Sequence, residues 1–504
     1  MAPPPTSADR TPVIVGIGEI SDRPTDPTTG LEPLALMATA LRRAERDAGM
    51  PLLAALDSLD IINFASWRYR DPLAQLRART GIAPRRAVYG PVGGETPVRF
   101  IHEAALRIAR GESEVAAICG GEAQSSVTRA KRAGLALPWT ALADDAPAAP
   151  RSGSSQHPMA AALGLTKPVA VYPLYDNATA AHWGQTPREA LAESGALWAR
   201  YAEVAARNPQ SWMKRSCDTR TIVTPTPDNR LIAWPYTKLM VANPQVNQAA
   251  ALVLTTLARA RAAGLAEERM VHVWGGATAD EPRDLLARDQ FVESHAQNAV
   301  LDAALTLAGG DASAFDAIEL YSCFPCVPKM ARRRLGLDAG ATPTVTGGLT
   351  FFGAPLNAYM AHAVCAMVRH LRDGGRLGLL YGQGGYMTQH HALVLAARPP
   401  DAPLAQDVSV QHAADARRGA VPPIAPEATG EGRVETFTVL YDRTSVRHGV
   451  VVLRTADGAR TLAKVAPDDA ATLARLTDLE RSAVGVSGPI GRGDDGLLRW
   501  RIGA

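Results

Sequence analysis

The sequence predicts an α/β protein built from two alike halves, followed by a small β-rich module of OB-like, barrel-forming pattern. Three observations carry this. "LDSLDIINFAS" from Leu56 and "FDAIELYSCFP" from Phe315 each place a second acid three residues after the first, then an apolar β run, all after an amphipathic helix. "IARGESEVAAICGGEA" and "LRDGGRLGLLYGQGGYM" both run helix, glycine, short buried strand, glycine pair, and the spacing from Gly111 to Gly120 equals that from Gly375 to Gly384. Two coincidences in the same order argue for internal duplication. Past Pro399 the composition changes to proline and small residues, and short alternating strands follow.

In chain order, the first half spans 11–258. It opens on the strand "PVIVGIGEI", continues through the helix "LALMATALRRAERDAG", and closes on the strand "AAALVLTTL". Between Ser125 and Asn247 (125–247) lies a long excursion holding the helix "REALAESGALWARYAEVAARNP"; an insertion of this length after a strand usually shapes a pocket. The second half, 270–398, runs from "MVHVWGGAT" through the helix "NAVLDAALTLAGG" to the strand "HALVLAARP". Residues 399–432 read as a linker. In 433–504, "RVETFTVLYD", "HGVVVLRTADGARTLAKV" and "GLLRWRIG" alternate as strands, with Asp457-Gly458 as a hairpin turn.

With 504 residues, 46% hydrophobic and 20% charged, the chain is large enough for two or three domains of ordinary globular type. A net charge of +3 excludes a global basic field, so no nucleic-acid partner is expected. The N-terminus lacks a basic-then-apolar leader and no run of about 18 apolar residues occurs, so a cytoplasmic location without a membrane span is expected. Five scattered cysteines fit reduced thiols, and the lone Cys323-x-x-Cys326 has neither a second pair nor a near histidine, so no metal is expected.

Six segments in order, "VIVGIGE", helix-Gly-strand-Gly-Gly, "VNQAAALVL", "DAIELYSCF", "TGGLTFFGAP" and "LYGQGG", resemble the thiolase superfamily over about Thr11 to Pro399. With the β tail, the whole chain is most similar to type 1 thiolase-like proteins with an additional C-terminal domain, acetyl-CoA acetyltransferase-like in class. The resemblance implies a duplicated αβαβα layered fold, a CoA or acyl-CoA ligand, no prosthetic group, and a role in lipid metabolism.

It also implies a cysteine nucleophile, an activating histidine and a second, proton-moving cysteine. Those positions fall on Gly94 (Gly93 if the register slips by one), on Ala354 and on Tyr381, so the usual Cys/His/Cys set is lost and the active site is degenerate. The Asn/His and Glu of the neighbouring segment fall on Tyr321 and Ser322. Tyr321, Tyr381 and Cys323 are the candidate catalytic residues, because a phenol can donate to a developing enolate or alkoxide. Tyrosines that simply fill vacated volume are the competing reading, as packing is for Cys323.

Cys119 and Cys365 read as core thiols. His390 and His391 read as edge or solvent histidines, and His102 and His362 as core ones. Two helix N-termini, after "GGETP" and after "GAPLN", would offer backbone donors to the cleft. "SWMKRSCDTR" and "YTKLM" supply Lys214, Arg215, Arg220 and Lys238 as candidate CoA contacts, with Trp212 placed for an adenine ring. A solvated face is the competing reading of these cations.

Three functions stay open: an acyltransferase-class or retro-aldol enzyme on a hydroxyacyl-CoA; a catalytically silent CoA or acyl-CoA binder; and a protein whose C-terminal module recruits a partner. The oligomeric state is open too, a monomer included.

Overall fold

The computed structural model describes residues 10–143 and 156–503. The strands are β1 (Pro12–Ser21), β2 (Ser58–Ile61), β3 (Arg86–Tyr89), β4 (Val115–Ala123), β5 (Leu231–Ala233), β6 (Tyr236–Thr237), β7 (Asn247–Thr256) and β8 (Val271–Asp280). They continue as β9 (Ala317–Leu320), β10 (Leu377–Gly384), β11 (Gln389–Ala396), β12 (Gly430–Tyr441), β13 (Val446–Thr455), β14 (Arg460–Val465), β15 (Ser487–Arg492) and β16 (Leu498–Trp500).

One nine-stranded sheet has the order β3-β2-β4-β7-β1-β8-β11-β10-β9. Its centre is the antiparallel pair β1 and β8. Outward from there the same pairings recur on both sides: β1 to β7 and β8 to β11 antiparallel, β7 to β4 and β11 to β10 antiparallel, β4 to β2 and β10 to β9 parallel. The duplication read from the glycine spacing is this two-sided sheet.

The helix Pro33–Ala48 lies directly on β1, where Gly16 and Gly18 face the backbone carbonyls of Ala44 and Ala40; a Cβ at either glycine would overlap them. Two further helices, Thr96–Ala109 and Tyr359–Arg372, are buried along nearly their whole lengths. They touch each other and pack against strands of both halves. Across this layer the buried Glu19 of β1 meets His362 Nδ1 and an Arg369 guanidinium nitrogen, each at 2.6 Å. Burial alone would raise the Glu19 pKa, but the two partners outweigh it and hold the carboxyl below its ordinary range.

The C-terminal strands close a five-stranded barrel, in which β12 pairs with both β13 and β15, β13 with β14, and β14 and β15 with β16. Phe437, Val439, Val451, Leu453 and Trp500 fill it. Gly458, at φ +83°, makes the turn between β13 and β14, as read from Asp457-Gly458. The barrel is joined to the excursion by hydrogen bonds: Leu440 of β12 pairs with Ala233 of β5, and Trp234 N–H donates to Val439 O at 2.8 Å. Residues after β11 do not hang free, since Val410 N–H donates to Thr278 O of β8 (3.0 Å) and Thr278 N–H to Val408 O (2.9 Å).

Candidate functional site

An inner cavity of about 680 Å³ lies where the two halves meet. Tyr321, Cys323, Gly94 and Ala354 all line it, together with Gln383 and Tyr172. Tyr321 follows the end of β9 and is fixed by its N–H, which donates to Tyr381 O at 3.0 Å. Its hydroxyl occupies the space in front of Gly94: a Cβ on Gly94 would overlap Tyr321 Oη and come within 2.5 Å of Gln383 O. Glycine at position 94 is therefore required by the Tyr321 hydroxyl and the Gln383 carbonyl opposite it.

The "TGGLTFFGAP" frame has a packing cause as well. Gly347 (φ +107°) and Gly348 (φ +75°) adopt left-handed backbone and press on Ala205 and Tyr201 of the excursion helix Pro187–Arg207. Ala354 N–H donates to Asn243 O at 2.9 Å, so the alanine closes the loop onto the excursion. Ser322 Oγ is buried and accepts from Leu349 N–H at 3.3 Å.

Gln383 Nε2 donates to Tyr172 Oη (2.7 Å) and Cys323 Sγ (3.2 Å), and the Tyr172 hydroxyl donates to Gly385 O (3.1 Å). That leaves Gln383 Oε1 buried without a partner. Burial pushes the Cys323 thiol up to about 12, so the thiolate a nucleophile needs is scarce at neutral pH. Burial first, then Cys323 and Glu95 nearby, raise Tyr321 well above the ordinary phenol value; it stays protonated and keeps its O–H to donate.

Glu95, which directly precedes the helix Thr96–Ala109 and makes no side-chain capping bond, lies behind this wall. A Cβ at Gly93 or at Gly384 would overlap its carboxylate, so glycines from both halves make room for it. Both of its oxygens are buried without a hydrogen-bond partner, and Arg99 Nε stands 4.0 Å away. Burial raises its pKa to about 7, against the lowering charge of Arg99. The Gly93 N–H, in the loop before that helix, donates to Asn357 Oδ1 at 3.0 Å.

Tyr381 does not reach the cavity. It lies one strand repeat too early on β10, its hydroxyl 2.7 Å from His390 Nδ1 and accepting from Gln297 Nε2 at 3.0 Å, while Gln383, on the same face of the strand, arrives at the wall. His390 and His391 are not edge or solvent residues: both are fully buried, His390 against Tyr381 and Ser294 and His391 against His102 Nδ1 at 3.0 Å. Burial lowers His390 to about 4.

A second, outer cavity of about 1230 Å³ shares Ala242 and Pro244 with the inner one. Arg132, Arg215, Arg220, Arg230, Lys238 and Arg443 line it, with Asp228 as the single carboxylate. Three of the four expected cations thus meet in one cavity. Lys214 does not line it and is exposed, and Trp212 is covered by the Arg23 guanidinium, 5.2 Å from its ring centroid. Sequence reasoning missed Gln383, Tyr172, Glu95, Arg132, Arg230 and Arg443. Only Glu95 carried a signal, an acid directly after two glycines. Among the described residues no cluster of metal-ligating side chains occurs, and no helix is long and apolar enough to cross a membrane.

Residues 410–495 match the family described as thiolase-like protein type 1 additional C-terminal domain. No curated protein sequence matches the chain. Among solved structures, a monomeric SCP2-thiolase-like protein type 1 from Mycobacterium smegmatis is 29% identical, with 98% of this chain and 100% of that one covered and a TM-score of 0.82. The Ltp2-ChsH2(DUF35) aldolase is 18% identical over 77% of this chain and 98% of that one (TM-score 0.59). Human mitochondrial 3-ketoacyl-CoA thiolase is 15% identical over 77% and 99% (TM-score 0.56). The last two show the fold alone.

Two outcomes follow from the geometry. Gly94→Ala should destabilise the protein by roughly 1–3 kcal/mol through overpacking, and combining it with Tyr321→Ala should recover only part of the loss, because the Gln383 carbonyl remains in the way; equilibrium denaturation of the three variants measures this. For Glu95, a folded-state pKa near 7 against an ordinary 4.5 means its contribution is fully present below pH 4.5 and lost as pH rises through 7. The difference in unfolding free energy between wild type and Glu95→Gln should therefore shift against wild type by roughly 3 kcal/mol from pH 4 to pH 8; an unchanged difference across that range rules the buried carboxylate out as the cause.

Proposed function

This chain belongs to the thiolase superfamily, among its type 1 thiolase-like proteins, and we propose that it binds CoA thioesters without thiol chemistry. The observation that carries this reading is the adjacency of its two cavities, which share Ala242 and Pro244 as lining residues. A basic outer chamber suits the phosphates of the nucleotide, and the inner chamber beside it would take the thioester end. In the inner chamber the protonated Tyr321 hydroxyl would donate to a carbonyl oxygen, and Gln383 Oε1 would accept from a ligand N–H or O–H.

Among the described residues, no carboxylate or imidazole lines the inner cavity, and its one thiol is held protonated. Acyl transfer through a cysteine is disfavoured by that composition, and binding is the function the geometry supports best. A specific observation favours a second reading. Glu95 carries a proton-accepting group to the back of the glycine wall beside Tyr321. In a retro-aldol cleavage of a 3-hydroxyacyl-CoA, the electron pair of the breaking Cα–Cβ bond would move into an enolate that Tyr321 hydrogen-bonds, and the hydroxyl proton would have to be relayed to Glu95, which lies behind Gly93 and Gly384 and does not itself line the cavity.

The test pairs thermal unfolding with mass spectrometry. CoA or an acyl-CoA at a hundred times its Kd should add about 2.7 kcal/mol of stability; no shift with any of a panel of CoA thioesters overturns the binding reading. If 3-hydroxyacyl-CoA is consumed by wild type and not by Tyr321→Phe or Glu95→Gln, the second reading replaces the first. An unconsumed panel leaves the protein a binder.

A further inference from the structure

We infer that the C-terminal barrel is part of the ligand site, with Arg443 at the tip of its β12–β13 hairpin holding a phosphate group together with Arg230 of the excursion. This rests on the binding reading above and adds to it which domain completes the phosphate chamber.

The placement follows from the cavity lining and from one strand pair. Leu440 of β12 pairs antiparallel with Ala233 of β5, and Arg443 lies three residues after Leu440 as Arg230 lies three before Ala233. Both line the outer cavity, with Ile232 beside them. The hairpin is held on both sides of its tip: Asp442 N–H donates to Ser445 O at 2.9 Å, Trp234 N–H to Val439 O at 2.8 Å, and Thr438 Oγ1 to Trp234 O at 3.1 Å. Lys238 N–H donates to Arg230 O at 2.9 Å, which brings a further cation to the same wall.

The Arg443 charge is not used by the protein, and among the described residues the Arg230 side chain donates only to the neighbouring Leu231 O, at 2.9 Å. Arg443 has no hydrogen bond or ion pair among the described residues, whereas many arginines elsewhere in the barrel are paired, Arg454 and Arg460 with Glu435, Arg492 with Glu427 and Arg499 with Asp495. Cations facing each other across a strand pair repel. Gathering Arg443, Arg230 and Lys238 on one chamber wall, with Asp228 as the only carboxylate, is offset when a multiply charged anion lies between them. Arginine's fork suits two phosphate oxygens at once.

The experiment is calorimetric titration of the full chain with CoA and with 3′-dephospho-CoA, for wild type, Arg443→Ala, Arg443→Lys, Arg443→Glu and the control Arg492→Glu, which makes the same charge change on the barrel outside the cavity. Arg443→Ala should weaken CoA binding about tenfold and Arg443→Glu more, with Arg443→Lys partly restoring it and Arg492→Glu near wild type. If dephospho-CoA binds wild type and Arg443→Ala alike, the contact is with the 3′-phosphate; if it weakens as CoA does, the contact is with the diphosphate. Both results support the inference. Wild-type affinity in Arg443→Glu overturns it and leaves the binding reading standing, while a wild type that binds neither ligand overturns both. Because Arg443 is exposed on a turn, the ligand-free melting temperature should not move in any of the Arg443 variants.

Discussion

The site turns on one exclusion: the Tyr321 hydroxyl and a side chain at position 94 cannot occupy the same space. Neither partner can retreat. Tyr321 is fixed by the parallel register of β9 on β10, which runs from Ala317 against Gly378 to Leu320 against Tyr381, and by its own N–H to Tyr381 O. Position 94 is fixed from the other half, where Asn357 takes the Gly93 N–H and donates in turn to Asn63 O. A sheet that holds both halves in one register therefore makes tyrosine at 321 and glycine at 94 a single choice. Gly93 and Gly384 then leave room that the Glu95 carboxylate fills. The glycines, the phenol and the buried acid are one packing solution.

What could be read in the sequence follows from what each feature depends on. Strand, helix and glycine spacing are local, so the duplicated halves were legible in two pairs of similar segments and reappear as symmetric pairings around β1 and β8. The barrel was legible for the same reason, through alternation and the turn at Gly458. Side-chain destination is not local. Tyr381 and Gln383 share a face of β10, and which one reaches the cavity is decided by where the strand ends relative to helix His295–Leu307, whose Gln297 takes up the Tyr381 hydroxyl. His390 looked like an edge residue because it opens a strand, yet β10 and β8 flank that strand on both sides and bury it. Lys214 and Arg215 are adjacent on irregular chain and diverge, so a run of cations in sequence was an imperfect guide to a cluster in space.

The chain is nearly neutral overall at +3, which makes the location of its charges the informative quantity. In the core, charge is matched: Lys329 meets Asp176 at 2.5 Å, and Glu19 meets His362 and Arg369. Removing one partner of such a pair would strand the other in a low-dielectric interior, so these pairs fix the layers rather than add much stability. The outer cavity is built the opposite way, with cations drawn from four separate stretches of chain and one carboxylate among them. Folding gains nothing from such a gathering. A surface that merely needed solubility would disperse those charges, so their convergence beside a tyrosine-walled chamber argues for an anionic ligand.

The barrel belongs to that arrangement and not only to the end of the chain. Its strand β12 pairs with β13 along one edge and, along the other, first with β15 to close the barrel and then at Leu440 with β5. A barrel normally abolishes free edges; here one strand runs past closure and uses its remaining donors and acceptors on the excursion. The excursion carries most of the outer cavity, so any shift of β12 would move β5, Arg230 and Ile232 with it. Asn177 Nδ2 donates to Phe437 O at 2.8 Å, which ties the same strand to the helix Pro168–His182, whose Tyr172 stands in the inner cavity wall. Both chambers are thus braced by β12, and an anion held between Arg443 and Arg230 would draw the barrel and the excursion together at the point where they already share a sheet.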